Sequence, residues 1–209
     1  MVSNLNKDIV LFSGNEMGNN SYLIIKDDNC VVIDPSWYVD EIDQYVQKHN
    51  LKLVGIILTH AHYDHVGECD FLLNKYNTSL YVYSKEREVL ETHHMASWFK
   101  KGGFKAPQNI KYFNESNLSI NNIELKIIPT PGHTCGGICI QYKGYLFTGD
   151  TLFSDGIGRM DLPTGNARQL LESLQLIKKM DKNLLILPGH EKNAITLEEV
   201  MKSNQYLRQ

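Results

Sequence analysis

The chain alternates short apolar runs with amphipathic segments, and the two patterns predict different elements. Apolar runs of strand length lie at residues 9–12, 21–25, 30–34, 53–58, 80–83, 124–128, 137–142, 145–147 and 184–187. Apolar residues at helical spacing lie in residues 39–50, 65–76, 84–92 and 167–180, and a last helix is expected to begin near residue 196. Two sheets packed face to face, with the helices outside, would bury all of these apolar faces. The pattern therefore predicts an α+β sandwich.

One stretch, from residue 92 to residue 107, shows neither pattern. It holds Trp98, Phe99 and Phe104 together with a glycine pair and three lysines. We expect a loop or lid there. Its aromatic side chains would either line a substrate pocket or pack within the lid and the core, and the sequence leaves both interpretations open.

Metal-binding side chains follow four of the apolar runs. The donors are His60, His62, Asp64, His65, His133, Asp150 and His190. A single histidine after a strand is usually an ordinary polar residue, but seven donors in matching positions indicate a site built where several strands end. We therefore predict that these side chains converge on two metal ions.

The motif THAHYDH at residues 59–65 supplies four of the donors. His60 and His62 are two residues apart, so in an extended segment their side chains point the same way and can hold one ion together. Asp64 and His65 follow where the chain would turn into a helix, which directs them to a second ion. One tight loop would then serve both metals.

The later donors come from three separate segments, and two of them follow a glycine. Gly132 precedes His133 and Gly189 precedes His190. Glycine adopts backbone conformations closed to other residues and allows close approach to an ion. Asp150 follows a strand and has two carboxylate oxygens, so it is our candidate to bridge the two cations.

The donor set is imidazole and carboxylate without thiolate, which suits zinc and equally iron or manganese. Two divalent ions, preferably zinc, would activate a bridging hydroxide, polarise a carbonyl and stabilise the oxyanion that forms on attack. Asp64, beside that activated water, could pass its proton to the leaving group. The predicted chemistry is hydrolysis of a thioester or ester, with Asp64 as a catalytic residue.

Composition narrows the setting of this chemistry. The chain has 209 residues, of which 42% are hydrophobic and 22% charged, and we expect one domain over residues 1–209. The net charge of -3 is well mixed and argues against a nucleic-acid partner. No signal-peptide pattern and no membrane-length apolar run is present, so we expect a cytoplasmic protein without a membrane partner. The four cysteines form no CxxC pair and are expected to be reduced thiols.

Together these residues resemble the metallo-β-lactamase superfamily over nearly the whole chain. The motif THAHYDH is intact, and the segments PTPGHT (129–134), GDTLF (149–153) and GIGRMDLPTG (156–165) are similar to glyoxalase II and to the short bacterial glyoxalase II-like hydrolases. The resemblance implies an αββα sandwich of two mixed β-sheets flanked by helices. The ligand sets that it implies are His60, His62 and His133 for the first metal, Asp64, His65 and His190 for the second, and Asp150 between them.

The resemblance also bears on the substrate. Arg159 occupies the position of a basic residue that contacts glutathione in glyoxalase II, which implies a small-molecule substrate with an anionic tail and a substrate-binding role for Arg159. Alternatively, Arg159 is a structural partner of Asp161 in its own loop. The chain ends shortly after His190, where glyoxalase II carries a C-terminal helical domain. An S-lactoylglutathione-like thioester, another thioester or an ester is therefore expected.

Other functions fit parts of the pattern. An iron-dependent persulfide dioxygenase of the same superfamily would use one iron, with His133 and Asp150 among its ligands, but the early NNSYLII stretch favours a hydrolase. A nuclease is disfavoured by the acidic net charge. A non-catalytic metal-binding module would require the loss of a ligand or of the open water position, and every ligand is present. Lactones and β-lactams stay open as substrates, because the scaffold directs the metal chemistry while the loops choose the substrate.

Overall fold

A computed structural model describes residues 1–15, 18–98, 104–191 and 194–208 of the chain. Its strands are β1 (Val2–Asn4), β2 (Ile9–Ser13), β3 (Asn20–Lys26), β4 (Asn29–Ile33), β5 (Lys52–Ile57), β6 (Leu80–Tyr83), β7 (Ile110–Phe113), β8 (Asn117–Ile120), β9 (Ile123–Pro129), β10 (Ile138–Tyr142), β11 (Tyr145–Gly149), β12 (Leu185–Pro188) and β13 (Ile195–Thr196). Its α-helices are α1 (Val39–Lys48), α2 (Tyr63–Val66), α3 (Asp70–Tyr76), α4 (Ala167–Ile177) and α5 (Leu197–Ser203). Within these ranges, no helix combines the length and the apolar character needed to cross a membrane.

The described strands form two mixed sheets. The first has the order β1-β2-β3-β4-β5-β6-β7; its neighbours are antiparallel as far as β4 and parallel from β4 to β7. The second has the order β13-β12-β11-β10-β9-β8, with β11 and β12 parallel and the other neighbouring pairs antiparallel. Because neighbouring parallel strands end at the same edge of a sheet, the loops that follow them meet there.

Apolar side chains fill three layers of core. Between the sheets, Ile57 of β5 and Phe147 of β11 belong to one buried cluster. Outside the first sheet, Ile42 of α1 belongs to a second cluster, and outside the second sheet Leu174 of α4 belongs to a third. Each fully buried aliphatic or aromatic side chain contributes about 1.5–3 kcal/mol to folding. This helix–sheet–sheet–helix layering confirms the predicted αββα sandwich.

Two of the predicted helices differ from the structure. The helix expected over residues 65–76 is divided into α2 and α3, because the chain turns at Gly67, whose N–H donates to the Tyr63 carbonyl at 2.7 Å. The helix expected over residues 84–92 is wrong. The chain forms a 3-10 turn at Ser84–Glu86 and a π-helical turn at Val89–His93. Glu86 turns inward there to bond two other loops, which a surface helix would not allow.

Strands β1, β7, β8 and β13 were not predicted, and they share one property. They are the outermost strands of the two sheets. An edge strand has one neighbour and an exposed side, so it carries fewer apolar residues and gives a weaker pattern.

The four cysteines are free thiols, as expected.

Candidate functional site

All seven predicted donors lie in the segments that follow β5, β9, β11 and β12, two of them in the short helix α2, and the fold brings them together. Three groups of side chains each have ligand atoms within 4.8 Å of one another: His60, His62 and His133; His60, His65 and Asp150; and Asp64, His65 and His190. Shared members join the three groups into one cluster. The grouping agrees with the ligand sets that the family resemblance implies, and the metal-binding roles themselves stay predictions.

Asp150 lies at the centre of the cluster. Its carboxylate oxygens are 3.3 Å from His65 Nε2, 3.6 Å from His133 Nε2 and 3.5 Å from His190 Nε2. His62 Nδ1 lies 3.0 Å from His133 Nε2. A carboxylate with this placement faces His133 of the first predicted ligand set and His65 and His190 of the second, as a bridging ligand requires.

Three buried histidine nitrogens of the cluster make no hydrogen bond. They are the Nε2 atoms of His60, His62 and His65. Buried polar atoms in folded proteins nearly always have a partner, because an unpaired one costs about 1–3 kcal/mol. Lone pairs that face one another across a small space fit a cation, and the residues present therefore suit the metal ions that the sequence predicts.

The protonation states of His60 and His62 also suit a cation. Burial, followed by repulsion from neighbouring imidazoles, lowers the pKa of His60 well below its ordinary value. Burial and His133 lower the pKa of His62 to about 3. Both side chains are thus neutral at pH 7, and a neutral imidazole offers its lone pair to a metal.

The part of the cluster around Asp64, His65 and His190 is rich in carboxylates. Burial disfavours a charged His65, but the carboxylates of Asp150, Asp34 and Asp64 outweigh it and raise the pKa of His65 well above its ordinary value. Burial likewise opposes ionisation of Asp150, yet His65 and His190 hold the pKa of Asp150 well below its ordinary value. Ionised carboxylates in a buried space attract a compensating positive charge.

Asp34 positions the first loop, although the sequence analysis did not select it. Its Oδ2 lies 2.8 Å from His65 Nδ1, while its two oxygens accept from the Thr59 N–H at 2.8 Å and the Thr59 hydroxyl at 2.6 Å. A carboxylate that holds one ring nitrogen directs the other nitrogen of the histidine toward the cluster. A signal was present, because the apolar run at residues 30–33 also ends in this aspartate.

Glu86 joins two loops that carry predicted ligands, and no sequence signal marked it. Its side chain is buried, with 1% of the residue surface exposed. It accepts from the Ala61 N–H and the Gly136 N–H, each at 2.8 Å, and from the Thr134 hydroxyl. Ala61 lies between two predicted ligands and Thr134 follows a third, so one carboxylate holds both loops in register.

Three other contacts direct ligands. The Asn19 amide donates to the Asp64 carbonyl at 2.9 Å and to the Asp64 carboxylate at 3.3 Å. His133 Nδ1 lies 2.7 Å from the Arg159 carbonyl, which leaves Nε2 for the cluster. Asn19 also pairs through its backbone with His190. The residue before β3 is therefore attached to two of the segments that carry predicted ligands.

The two glycines that precede histidines act in different ways. Gly132 has φ +139°, a backbone conformation that other residues rarely adopt, as expected. Gly189 is not in the left-handed region. It is needed for space, because a Cβ there would lie 2.5 Å from Asp150 Oδ1 and 2.7 Å from His65 Cε1.

The cluster forms the floor of an open cleft of about 640 Å³. The described residues that line it are His62, Asp64, Met95, Trp98, His133, Asp150, Phe153, Ile157, Gly158, Arg159, Leu162, His190 and Glu191. Of the aromatic residues in the expected lid, Trp98 lines this cleft. Phe104 packs edge-on against Tyr63, with ring centroids 5.5 Å apart, and Phe99 lies outside the described residues.

Arg159 stands on the wall of the cleft and is paired within its own loop. Its Nε and a terminal nitrogen donate to the two carboxylate oxygens of Asp161 at 2.7 and 2.8 Å. Its guanidinium carbon lies 5.6 Å from the centre of the Trp98 ring, within the range of a cation–π contact. The geometry favours the alternative of a structural pair with Asp161, and substrate binding by Arg159 stays a prediction.

Known proteins resemble the chain in sequence. The pattern of the Metallo-beta-lactamase superfamily matches residues 14–190. The protein named Probable metallo-hydrolase YqgX of Bacillus subtilis is 31% identical over 186 residues, which cover 86% of this chain and 88% of that protein. The Probable polyketide biosynthesis zinc-dependent hydrolase PksB of the same species is 31% identical and covers 82% of this chain and 72% of its own length. A hydroxyacylglutathione hydrolase of Prochlorococcus marinus is 34% identical over 83% of this chain, and the match spans 65% of that protein.

Solved structures share the fold over almost all of the chain. The crystal structure of the BLEG-1 B3 metallo-beta-lactamase has a TM-score of 0.85 at 27% identity, over 96% of this chain and 100% of the other. The crystal structure of TTHA1623 in a di-iron-bound form has a TM-score of 0.83 at 25% identity, over 94% of this chain and 99% of the other. With its histidine-rich candidate metal site at the end of the sandwich, the chain belongs to the metallo-beta-lactamase superfamily and is a metal-dependent hydrolase of that family.

Proposed function

We propose that the chain hydrolyses a small-molecule thioester or ester. Two divalent cations, preferably zinc, would be held by the seven clustered side chains. One observation carries the proposal. The Nε2 atoms of His60, His62 and His65 are buried without hydrogen-bond partners, and they belong to a cluster that forms the floor of an open cleft. A binding site of about 300–1,000 Å³ suits a small organic molecule, and this cleft lies within that range.

The donors divide naturally between two cations. His60, His62 and His133 would hold one, and Asp64, His65 and His190 the other, with the central Asp150 shared. Bound cations would supply Lewis-acid chemistry, since they make water acidic and stabilise the negative charge that develops on a carbonyl oxygen. The relative PksB is described as zinc-dependent, and the neighbour TTHA1623 was crystallised with two irons, so both metals are reasonable for this chain.

Asp64 is the residue that we propose to move the proton. It lines the cleft, and its Oδ2 lies 3.4 Å from His190 Nε2. Burial opposes its ionisation, but His65 and His190 lower the pKa of Asp64, so the group is an ionised carboxylate at neutral pH and can accept a proton from the attacking water. Its Oδ2 accepts from the Asn19 amide, which holds the carboxylate in place while it returns that proton to the leaving sulfur or oxygen.

Metal titration of the apoprotein tests the proposal. We expect zinc to restore release of thiol from a simple acyl thioester, with maximal activity near two metals per chain by elemental analysis. His133→Ala should reduce both metal content and turnover, the latter about 10³-fold because several kcal/mol of transition-state stabilisation depend on the cations. His49→Ala is the control, since His49 is an exposed histidine directly after α1. Turnover that survives metal removal would contradict the proposal.

The same protein preparation separates hydrolysis from dioxygenase chemistry. Loaded with iron and supplied with glutathione persulfide, a dioxygenase consumes oxygen, whereas a hydrolase consumes none. The second group of donors, Asp64, His65 and His190, is complete beside the first, which favours the two-metal hydrolase. We therefore expect thioester cleavage without oxygen uptake.

A further inference from the structure

The walls of the cleft bear on which substrate the site accepts. We infer, on the basis of the proposed function, that the cleft selects a substrate with an uncharged apolar group and disfavours an anionic tail. The group would lie on either side of the scissile bond, as an acyl chain or as the substituent of the leaving thiol or alcohol. This inference differs from the anionic substrate that the glyoxalase resemblance implies, and it follows from two properties of the wall.

The first property is the apolar character of the wall. The wall presents Met95, Trp98, Phe153, Ile157 and Leu162 to the space above the cluster of seven predicted donors. None of these side chains is fully buried, and 56% of the Trp98 surface is exposed. Apolar side chains left facing one cavity typically mark a binding surface, because a ligand that covers them removes their area from water.

The second property is the state of the charged residues on the wall. Among the described residues, Arg159 and Glu191 are the charged groups of the lining outside the cluster. Asp161 already binds the Arg159 guanidinium through two hydrogen bonds, and the Glu191 carboxylate accepts from the Ser154 N–H at 3.0 Å and from the Ser154 hydroxyl. An anionic tail would have to displace Asp161 from Arg159.

The sum of these charges points the same way. Arg159 and Glu191 of the wall carry +1 and -1, and Asp161, which pairs with Arg159 but does not line the cleft, adds -1, so the three groups together have a formal charge of -1. Apart from the cations proposed for the floor, an anion entering the cleft would find no unpaired cation among the described residues of the wall. An uncharged chain meets no such cost and gains the apolar contact.

Two series of thioesters test the inference on the zinc-loaded full chain. One lengthens the acyl group from acetyl to butyryl and hexanoyl on N-acetylcysteamine, and the other lengthens the alkyl thiol of an acetyl thioester. We expect kcat/KM to rise in at least one series, by up to about fourfold per added methylene. Succinyl-N-acetylcysteamine matches butyryl in length but carries a carboxylate, and we expect it to be at least about tenfold poorer, as repulsion of about 1.4 kcal/mol would make it.

Variants assign the effect to the wall. Trp98→Ala should flatten the dependence on chain length, whereas Phe71→Ala, which removes an exposed aromatic from α3 outside the cleft, should keep the slope. Asp161→Asn frees Arg159 and should raise the ratio of succinyl to butyryl turnover about fivefold or more. Asp28→Asn, which breaks an exposed pair with Lys52 elsewhere, should leave that ratio unchanged.

The outcomes separate this inference from the proposed function. If the zinc-loaded protein cleaves neither these thioesters, including the acetyl compound, nor the corresponding oxygen esters, the proposed function fails. If it cleaves the acetyl compound but both series are flat, or succinyl exceeds butyryl, the proposed function stands and the selection of an apolar group is wrong.

Discussion

The floor and the wall of the cleft are held in place by different means. On the floor, His65 is fixed by Asp34, His133 by the Arg159 carbonyl, and Asp64 by Asn19. On the wall, Trp98 and the apolar residues near it contribute mainly area, and Trp98 is more than half exposed. A hydrogen-bonded floor tolerates little displacement, because ligand geometry decides metal affinity, whereas an apolar wall tolerates substitution with a graded change in substrate preference.

Among variants that keep all seven donors, crowding the floor should give the largest effect. In Gly189→Ala the new methyl group would lie 2.5 Å from Asp150 Oδ1, so the central carboxylate must move. We expect kcat to fall about 100-fold, since a shift of about 1 Å in a catalytic group typically costs that much. Gly144→Ala is the matched control, because a Cβ at Gly144 meets nothing within 4 Å. Equal activity of the two variants would show that the floor is more adaptable than its contacts indicate.

Loosening the floor from behind should give the next largest effect. Asp34→Asn removes the charge that faces His65 Nδ1 and leaves one oxygen for three donors. Loss of such a partner typically weakens metal binding 10- to 100-fold, and we expect a change in that range in a competition assay with a chelator. The exposed carboxylate variant Asp28→Asn should bind metal normally. An unchanged affinity in Asp34→Asn would remove Asp34 from the support of His65.

Glu86 tests whether the two loops of the floor depend on one carboxylate. In Glu86→Gln one oxygen becomes an amide nitrogen, which cannot accept from the Ala61 or Gly136 N–H. We expect a loss of about 1–3 kcal/mol in the free energy of unfolding, measured by urea denaturation, together with a fewfold loss of metal affinity. Glu198→Gln, at an exposed position in α5, should lose much less stability. A variant as stable as the wild type would show that the loops hold their register without Glu86.

The smallest effect is expected for the influence of pH on the substrate preference set by the wall. The hydrogen bonds from Arg159 lower the pKa of Asp161 from its ordinary value of 3.8 to about 2. The ion pair is therefore complete above pH 3.8 and is lost as the pH falls through about 2. Between pH 6 and pH 8 both groups are therefore fully charged. We expect the ratio of butyryl to succinyl kcat/KM to change by less than about twofold over this range. A larger change would mean that another group controls the wall.

The αββα sandwich could be predicted because buried strands and helices carry strong apolar patterns. Runs such as residues 53–58 and 80–83 became β5 and β6 with almost the predicted bounds. The edge strands β1 and β13 were missed, since half of each is solvated. The segment at residues 84–92 was assigned to a helix because nothing local reveals that Glu86 turns inward to the two metal-site loops.

The sequence by itself determined which side chains form the floor. Each of the seven donors comes from a segment that follows a buried strand. Burial fixes the end of that strand, so the residues after it have little freedom, and their spacing along the chain decides where their side chains lie. The tertiary structure alone decided which groups support the donors and what the wall presents. Asp34, Glu86 and the Arg159–Asp161 pair depend on contacts between segments far apart in the chain or on side-chain rotamers in a loop, and no local pattern specifies either.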